Sequence, residues 1–305
     1  MITPEASQPI ETVRCCPACH SRKALAKGAK AAFEILSCKE CASLYTSTFP
    51  AQSDEQDYDS YYTEANLQVP EFTHKRLDEI VAGFESYRGE GRLLEVGFGA
   101  GNFLKAAARA GWKAQGVEIS HTACEHSRAE GFEVFCGELA HANYQENSFD
   151  VVIASELLEH IPEPAIILKE IARILRPGGL LWATTPNAKG LSSRVLGLEW
   201  SVMSPPEHLQ LFSAAGISRL LKGVGFRSVN VNTEGLNPVE LVKGFRPREA
   251  TGEKPVACGN ERVNSGYRLN EAMNKSTSRS AIKNLANGVL RVSRLGDSLK
   301  IWAEL

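Results

Sequence analysis

Several features are missing from this sequence, and each absence excludes something. No sign of charge dominates: 34 Lys and Arg stand against 36 Asp and Glu, a formal net charge of −2. A surface built to hold nucleic acid by excess positive charge is therefore not expected. No apolar run approaches the roughly 20 residues that a membrane-crossing helix needs. The first residues lack the basic-then-apolar layout of a secretion signal, and no segment repeats. These absences lead us to expect a soluble, cytoplasmic protein whose 8 cysteines are reduced.

Four cysteines are not scattered. Cys16, Cys19, Cys38 and Cys41 give C-x2-C-x18-C-x2-C, two knuckles that each supply two thiolates. Tetrahedral Zn2+ asks for such a soft donor set, and four protein ligands leave no open position for catalysis. A structural zinc ribbon is expected. Cys15 could replace Cys16 only by making a C-x3-C knuckle, and redox chemistry is the alternative for a single C-x-x-C pair. Arg14, Arg22, Lys23, Lys27, Lys30 and Lys39 would form a basic face, able to meet phosphate or simply solvated.

Beyond an acidic linker, "FTHKRLDEIVAGFESY" has apolar residues near helical spacing. From residue 92 strands and helices alternate. Strands are expected at 92–97, 113–119, 133–136, 150–155, 180–185 and 227–232, with a closing strand in "SLKIWAEL". Helices fall at about 101–110, 121–130 and 163–176, the last stopped by "RPGG". Ser213 would cap a further helix. Short apolar strands alternating with helices argue an α/β fold with a mostly parallel sheet covered on both faces.

The first strand runs into glycines in "LLEVGFGAGNF", the order Glu-x-Gly-x-Gly-x-Gly from Glu95 to Gly101. Backbone N–H groups at the start of the next helix attract negative groups, and glycines let a ligand approach the chain. Glu118, ending the next strand, can accept hydrogen bonds from a ribose diol. In order along the chain, "LLEVGFGAGNFL", "GVEIS", "SFDVVIASELLEHIPEP", "LRPGGLLWATTPN" and "PEHLQLFS" resemble the motifs of class I S-adenosylmethionine-dependent methyltransferases over about residues 90–235.

That resemblance implies a Rossmann-like seven-stranded sheet whose last strand inserts antiparallel beside the sixth. It also implies a division of labour. Glu95 and Gly97 would meet the methionine end of S-adenosyl-L-methionine, Gly99 and Gly101 would make the turn, and Glu118 with Ile119 would hold the ribose side. Glu138 and Leu139 would flank the adenine, Ser155 and Glu156 would line the sulfonium, and Tyr61 and Tyr62 would close over the cofactor. His160 and His208 lie past the ends of the fourth and fifth strands and are the candidate general bases.

The expected organisation is a zinc-ribbon module at 1–48, a linker and helical cap at 49–90, and the methyltransferase domain at 91–305. A helical insertion at about 236–293, rich in Lys and Arg, would be an acceptor-selecting lid, with a disordered surface loop or a homodimer contact as the alternatives. The family resemblance points first to O-methylation of a sugar, nucleotide-sugar or other small hydroxylated acceptor. Quinone- or phenol-type O-methylation, RNA methylation and a non-catalytic binding role are the alternatives.

Overall fold

The computed structural model describes residues 14–50, 71–244 and 287–305. Tyr61, Tyr62, Cys258 and most of the expected insertion lie outside the described residues.

The cysteine segment is a small antiparallel sheet. Strands β1 (Ala24–Lys30) and β2 (Phe33–Cys38) form a hairpin across Ala31 and Ala32, and β3 (Leu44–Thr46) pairs with β2. Both turn alanines have positive φ, 47° and 66°, the conformation that a two-residue hairpin turn requires.

Helix α1 (Glu71–Ala82) precedes the main sheet. There β4 (Arg92–Val96), α2 (Asn102–Arg109), β5 (Lys113–Glu118), α3 (His121–Ala129) and β6 (Glu133–Cys136) follow in order. Next come β7 (Phe149–Ser155), α4 (Pro164–Ile174), β8 (Leu175–Pro186), α5 (Leu191–Leu196) and β9 (Gln210–Leu211). The remaining elements are α6 (Ala214–Gly223), β10 (Ser228–Glu234), α7 (Pro238–Gly244) and β11 (Ser298–Glu304).

The order across the seven-stranded sheet is β10-β11-β8-β7-β4-β5-β6. Strands β4 to β8 in this sheet pair in parallel, whereas β11 runs antiparallel between β8 and β10. β10 therefore runs the same way as β8. The chain leaving β10 and returning to β11 does so at the carboxyl edge of the parallel strands.

Both sheet faces are buried, which explains the continuous apolar runs. In β7, Val151 and Ile153 point to one face and Val152 and Ala154 to the other. On the first face Leu77, Val81 and Phe84 cover Trp182, with Phe103 edge-on to the same indole at 5.1 Å. On the second, Leu168 and Ile171 of α4 pack with Ile217 and Leu220 of α6.

Two sequence expectations change. β8 begins at Leu175, before "RPGG", because Leu175 pairs with Phe149 and the register then shifts before Val151 meets Leu180. The cysteine sheet is also not a separate appendage. β3 pairs with β9, Leu44 opposite Leu211 and Tyr45 opposite Gln210. Cys16, Cys38, Cys41 and Tyr45 thus join the core cluster that includes Phe212 and Ile217.

Candidate active site

The glycine loop sits at the carboxyl edge of β4. Gly97 has φ 70°, and a Cβ there would lie 3.0 Å from Leu157 Cδ1. Phe98 folds back over β5, where only glycine fits: a Cβ on Gly116 would lie 2.5 Å from Phe98 Cδ1. Gly99 and Gly101 are left-handed too, and Gly101 caps α2.

Two buried carboxylates flank the loop. Glu118 Oε2 accepts from Gly99 N at 3.0 Å, and Oε1 accepts from Ile119 N at 2.8 Å and Ser120 N at 3.1 Å. Three amides hold the group rigidly, and a carboxylate offers about four acceptor positions, so Oε2 keeps capacity for a ligand hydroxyl. Glu95 Oε2 accepts from Leu104 N at 3.1 Å. Burial pushes Glu95 well above the usual carboxylate range; the Leu104 amide opposes this and the Glu118 charge adds to it. The neighbouring wall is open: Ile119 is 46% exposed and Glu138 is exposed, while Leu139 is buried beneath them.

At the end of β7, Ser155 Oγ and Thr184 Oγ1 are 2.9 Å apart. Glu156 N donates to Thr184 O at 2.9 Å, which holds Glu156 at φ 50°. A non-glycine residue in this conformation is strained and persists only where neighbours over-determine it. Its side chain is exposed at the mouth of the site.

His160 and His208 meet although they are far apart in sequence. Their ring centroids are 4.6 Å apart, edge to face. His160 Nδ1 is 2.9 Å from Glu207 O, and His208 Nδ1 is 2.6 Å from Val202 O. A carbonyl can only accept, so each Nδ1 carries the hydrogen, and in the neutral ring Nε2 holds the lone pair. Burial lowers the His160 pKa below its ordinary value, opposed by Glu207 O and the Glu156 charge.

Glu159 completes the cluster: one ligand atom from each of Glu159, His160 and His208 lies within 4.8 Å of the others. Glu159 is fully buried, with Oε2 accepting from Thr185 Oγ1 at 2.9 Å and Oε1 without a hydrogen-bond partner. Burial first, and the Glu156 charge second, push it well above the usual carboxylate range.

The four cysteines converge. Cys16 Sγ lies 3.5 Å from Cys41 Sγ and Cys19 Sγ 3.5 Å from Cys38 Sγ, with all four sulfurs within 4.8 Å. These separations exceed the roughly 2 Å of a disulfide. They suit a tetrahedral S4 metal site, where bonds of ~2.3 Å place sulfurs roughly 3.8 Å apart. The hydrogen bond between Cys16 and Cys41 pushes the Cys41 thiol down and the Cys16 thiol up, and burial pushes Cys19 up, so the negative charge is favoured on Cys41.

The basic face expected from sequence is partly internal. Arg14 is only 6% exposed, and Lys30 Nζ donates to Leu198 O at 2.6 Å and Trp200 O at 3.0 Å. In sequence Arg14 reads only as part of the basic face, and Thr184 and Gln210 carry no individual signal: the contacts of all three are with residues from distant segments.

A family model described as a methyltransferase domain matches residues 40–231, well over half of the chain. The chain is 32% identical over 170 residues to a ubiquinone biosynthesis O-methyltransferase of Ralstonia nicotianae, covering 53% of this chain and 68% of that protein. It is 30% identical over 161 residues to the protein of the same name in Methylococcus capsulatus, covering 48% and 68%. The fold resembles a SAM-dependent methyltransferase from Archaeoglobus fulgidus, TM-score 0.53 at 19% identity, covering 82% of this chain and 100% of that one. It also resembles phosphoethanolamine N-methyltransferase 2 of Haemonchus contortus, TM-score 0.50 at 18% identity, covering 86% and 62%. Among the described residues, no helix is long and apolar enough to cross a membrane. A glycine loop between two buried glutamates, on a sheet of this order and matched along most of its length by that family model, means that the chain belongs to the methyltransferase-domain family and is a class I S-adenosylmethionine-dependent methyltransferase.

Proposed function

We propose that the protein transfers the methyl group of S-adenosylmethionine to a ring hydroxyl of a phenol- or quinol-type acceptor. The observation that carries this reading is the Glu159–His160–His208 cluster, gathered at the carboxyl edge of the sheet next to Ser155 and Glu156. S-adenosylmethionine would supply a methyl group already activated by its positive sulfur, and the residues around Ser155 and His160 would orient the acceptor oxygen toward it. His160 Nε2 takes the hydroxyl proton, while Glu207 O keeps the ring oriented. A phenol, with a pKa of about 10, can be deprotonated by a neutral imidazole during attack, whereas an aliphatic sugar hydroxyl is a much poorer match. The names of the two bacterial relatives support the same choice over the sugar expected from sequence.

On the cofactor side, Glu95 and Gly97 meet the methionine moiety. The cofactor's ammonium would restore a negative charge to Glu95, which burial disfavours in the free protein. Glu118 takes the ribose diol, Ile119, Glu138 and Leu139 border the adenine, and Ser155 and Glu156 border the sulfonium. The four cysteines hold structural Zn2+, for which their sulfur separations are suited.

The test is a panel of catechols, hydroquinones and sugars incubated with methyl-labelled cofactor and read by mass spectrometry. Label on a ring oxygen is expected, and label appearing only on sugars would overturn the acceptor class. The three ligand atoms of Glu159, His160 and His208, within 4.8 Å of one another, favour a second reading, in which the cluster holds a divalent cation that binds the acceptor oxygen. Transfer abolished by EDTA and restored by Mg2+ or Mn2+, in protein that retains its zinc, would favour that reading.

A further inference from the structure

The loop carrying His160 has no regular structure between the end of β7 at Ser155 and the start of α4 at Pro164. The main sheet holds only Glu156 N and the Glu159 carboxylate, through Thr184 and Thr185 of β8, and leaves the segment around His160 to other contacts. Its backbone carbonyls make them. Gln210 Nε2 donates to Leu158 O at 2.7 Å and to Ile161 O at 2.6 Å. Arg14 Nη2 donates to Pro162 O at 3.0 Å and to Gln210 Oε1 at 3.0 Å. Glu159 O accepts from Leu209 N at 2.9 Å. The carbonyls on either side of His160 are therefore fastened from outside the loop.

The fastening leads back to the cysteine unit. Arg14 lies two residues before Cys16, and its Nη1 donates to Thr46 Oγ1 of β3 at 2.7 Å. β3 pairs with β9, whose first residue is Gln210, two positions after His208. Ser213 Oγ donates to Cys41 O, and Ser213 N donates to Ser43 Oγ at 3.1 Å. The packing is close: a Cβ on Gly216 would lie 2.3 Å from Ser43 Oγ. One buried guanidinium thus contacts the cysteine sheet, the His160 loop and the strand that follows His208.

We infer that Arg14 and Gln210 are positioning residues which set the His160 and His208 loops from the four-cysteine unit, so that this unit governs methyl transfer without touching the cofactor. Arg14 has neutral oxygen partners in these bonds, so it gains little from charge pairing here. Its use lies in the planar fork, which fixes the angle between two loops in a way that a lysine ammonium cannot. Gln210 has a matching role: its oxygen takes Arg14 and its nitrogen spans two carbonyls of one loop. The inference rests on the proposed role of this cluster and holds for either of the two readings of the histidines.

The test uses the full chain and two substitutions, Arg14→Lys and Gln210→Glu. The second keeps shape and a partner for Arg14 but removes both donors to Leu158 O and Ile161 O. Three quantities are read: affinity for the demethylated cofactor, turnover, and the 15N histidine shifts that report which ring nitrogen carries hydrogen. His160 is assigned by loss of its signal in His160→Gln. We expect cofactor affinity within about twofold of wild type, turnover down roughly 10- to 100-fold from misplacement of about 1 Å, and loss of the uniform Nδ1–H form of His160. If Arg14→Lys does not fold, Gln210→Glu decides. A folded variant with an unchanged His160 signature and unchanged turnover would overturn the relay. Should the wild type methylate no ring hydroxyl, the acceptor reading fails, and the histidine signature still tests the relay.

Discussion

The two halves of the proposed site, one for cofactor and one for acceptor, are built in different ways. The cofactor half, from Glu95 to Leu139, is local: Gly99 and Glu118 bond across 19 positions, Glu95 and Leu104 across 9. The acceptor half is assembled from three distant segments, with Arg14 reaching Pro162 across 148 positions and Gln210 across 196. A local site is a property of one strand–loop–helix unit and survives damage elsewhere. An assembled site exists only while the segments stay docked. Methyltransferase chemistry needs both, which makes the halves separable by experiment.

The largest separation is expected from the metal. Cys38→Ser or Cys41→Ser should release the proposed zinc, because metal binding and folding of such a unit are linked. Transfer should disappear, while calorimetry still shows the demethylated cofactor binding within about threefold of wild type, since the hydrogen bonds that hold Glu95 and Glu118 come from Gly99, Leu104, Ile119 and Ser120 and none comes from the cysteine unit. Persistent transfer in zinc-free protein would erase the distinction between the halves.

Removing the proposed base is the next strongest test. His160→Gln should lower turnover by about 10²- to 10⁴-fold, the range for a general base. Cofactor affinity should barely change. Equal losses in both would mean that His160 supports the cofactor half instead.

The reciprocal experiment is Glu118→Ala. Three amides lose their acceptor, and cofactor affinity should fall by about 1–3 kcal/mol. The Nδ1–H signature of His160 should stay as in wild type. A change in that signature would show that the glycine loop is coupled to the His160 loop, which it meets at Gly97 and Leu157.

The smallest effect should fall on neither half. Asp150 lies at the start of β7, away from the site, where it accepts from Gly91 N, Arg92 N and Arg176 Nε. Burial alone would raise its pKa, but Arg176 and the amides outweigh this and hold it below the ordinary value. With the folded pKa depressed, the stabilisation is present above the unfolded value near 3.9 and is lost as pH falls through the folded value. Asp150→Asn should therefore cost stability at pH 7, roughly 1–3 kcal/mol, with the difference from wild type shrinking below pH 4. Urea unfolding at several pH values measures this; a pH-independent difference would refute the charge argument.

Much of the fold was legible in the chain itself. Short apolar strands alternating with helices, glycines after Glu95, Ser213 as a helix cap and the spacing of two C-x-x-C knuckles are local patterns, and local physics reads them without a fold. Ser213 does accept from Gly216 N at 2.9 Å as a cap, but its hydroxyl also donates to Cys41 O, which no local pattern could announce. Arg14 shows the limit most clearly. In sequence it is one of several basic residues near the cysteines; in the structure it is buried against Thr46, Pro162 and Gln210.

The sequence by itself determined the alternating α/β pattern, the glycine loop and the two pairs of cysteines, because each depends on the period or spacing of neighbouring residues. Only the tertiary structure decided that β3 pairs with β9, that the cysteine unit shares the main core, and that Glu159, His160 and His208 form one cluster. The physical reason is that hydrogen bonds between strands and the burial of an arginine are settled by which surfaces meet after the chain has folded, and residues 14, 160 and 210 have no relation along the chain before then.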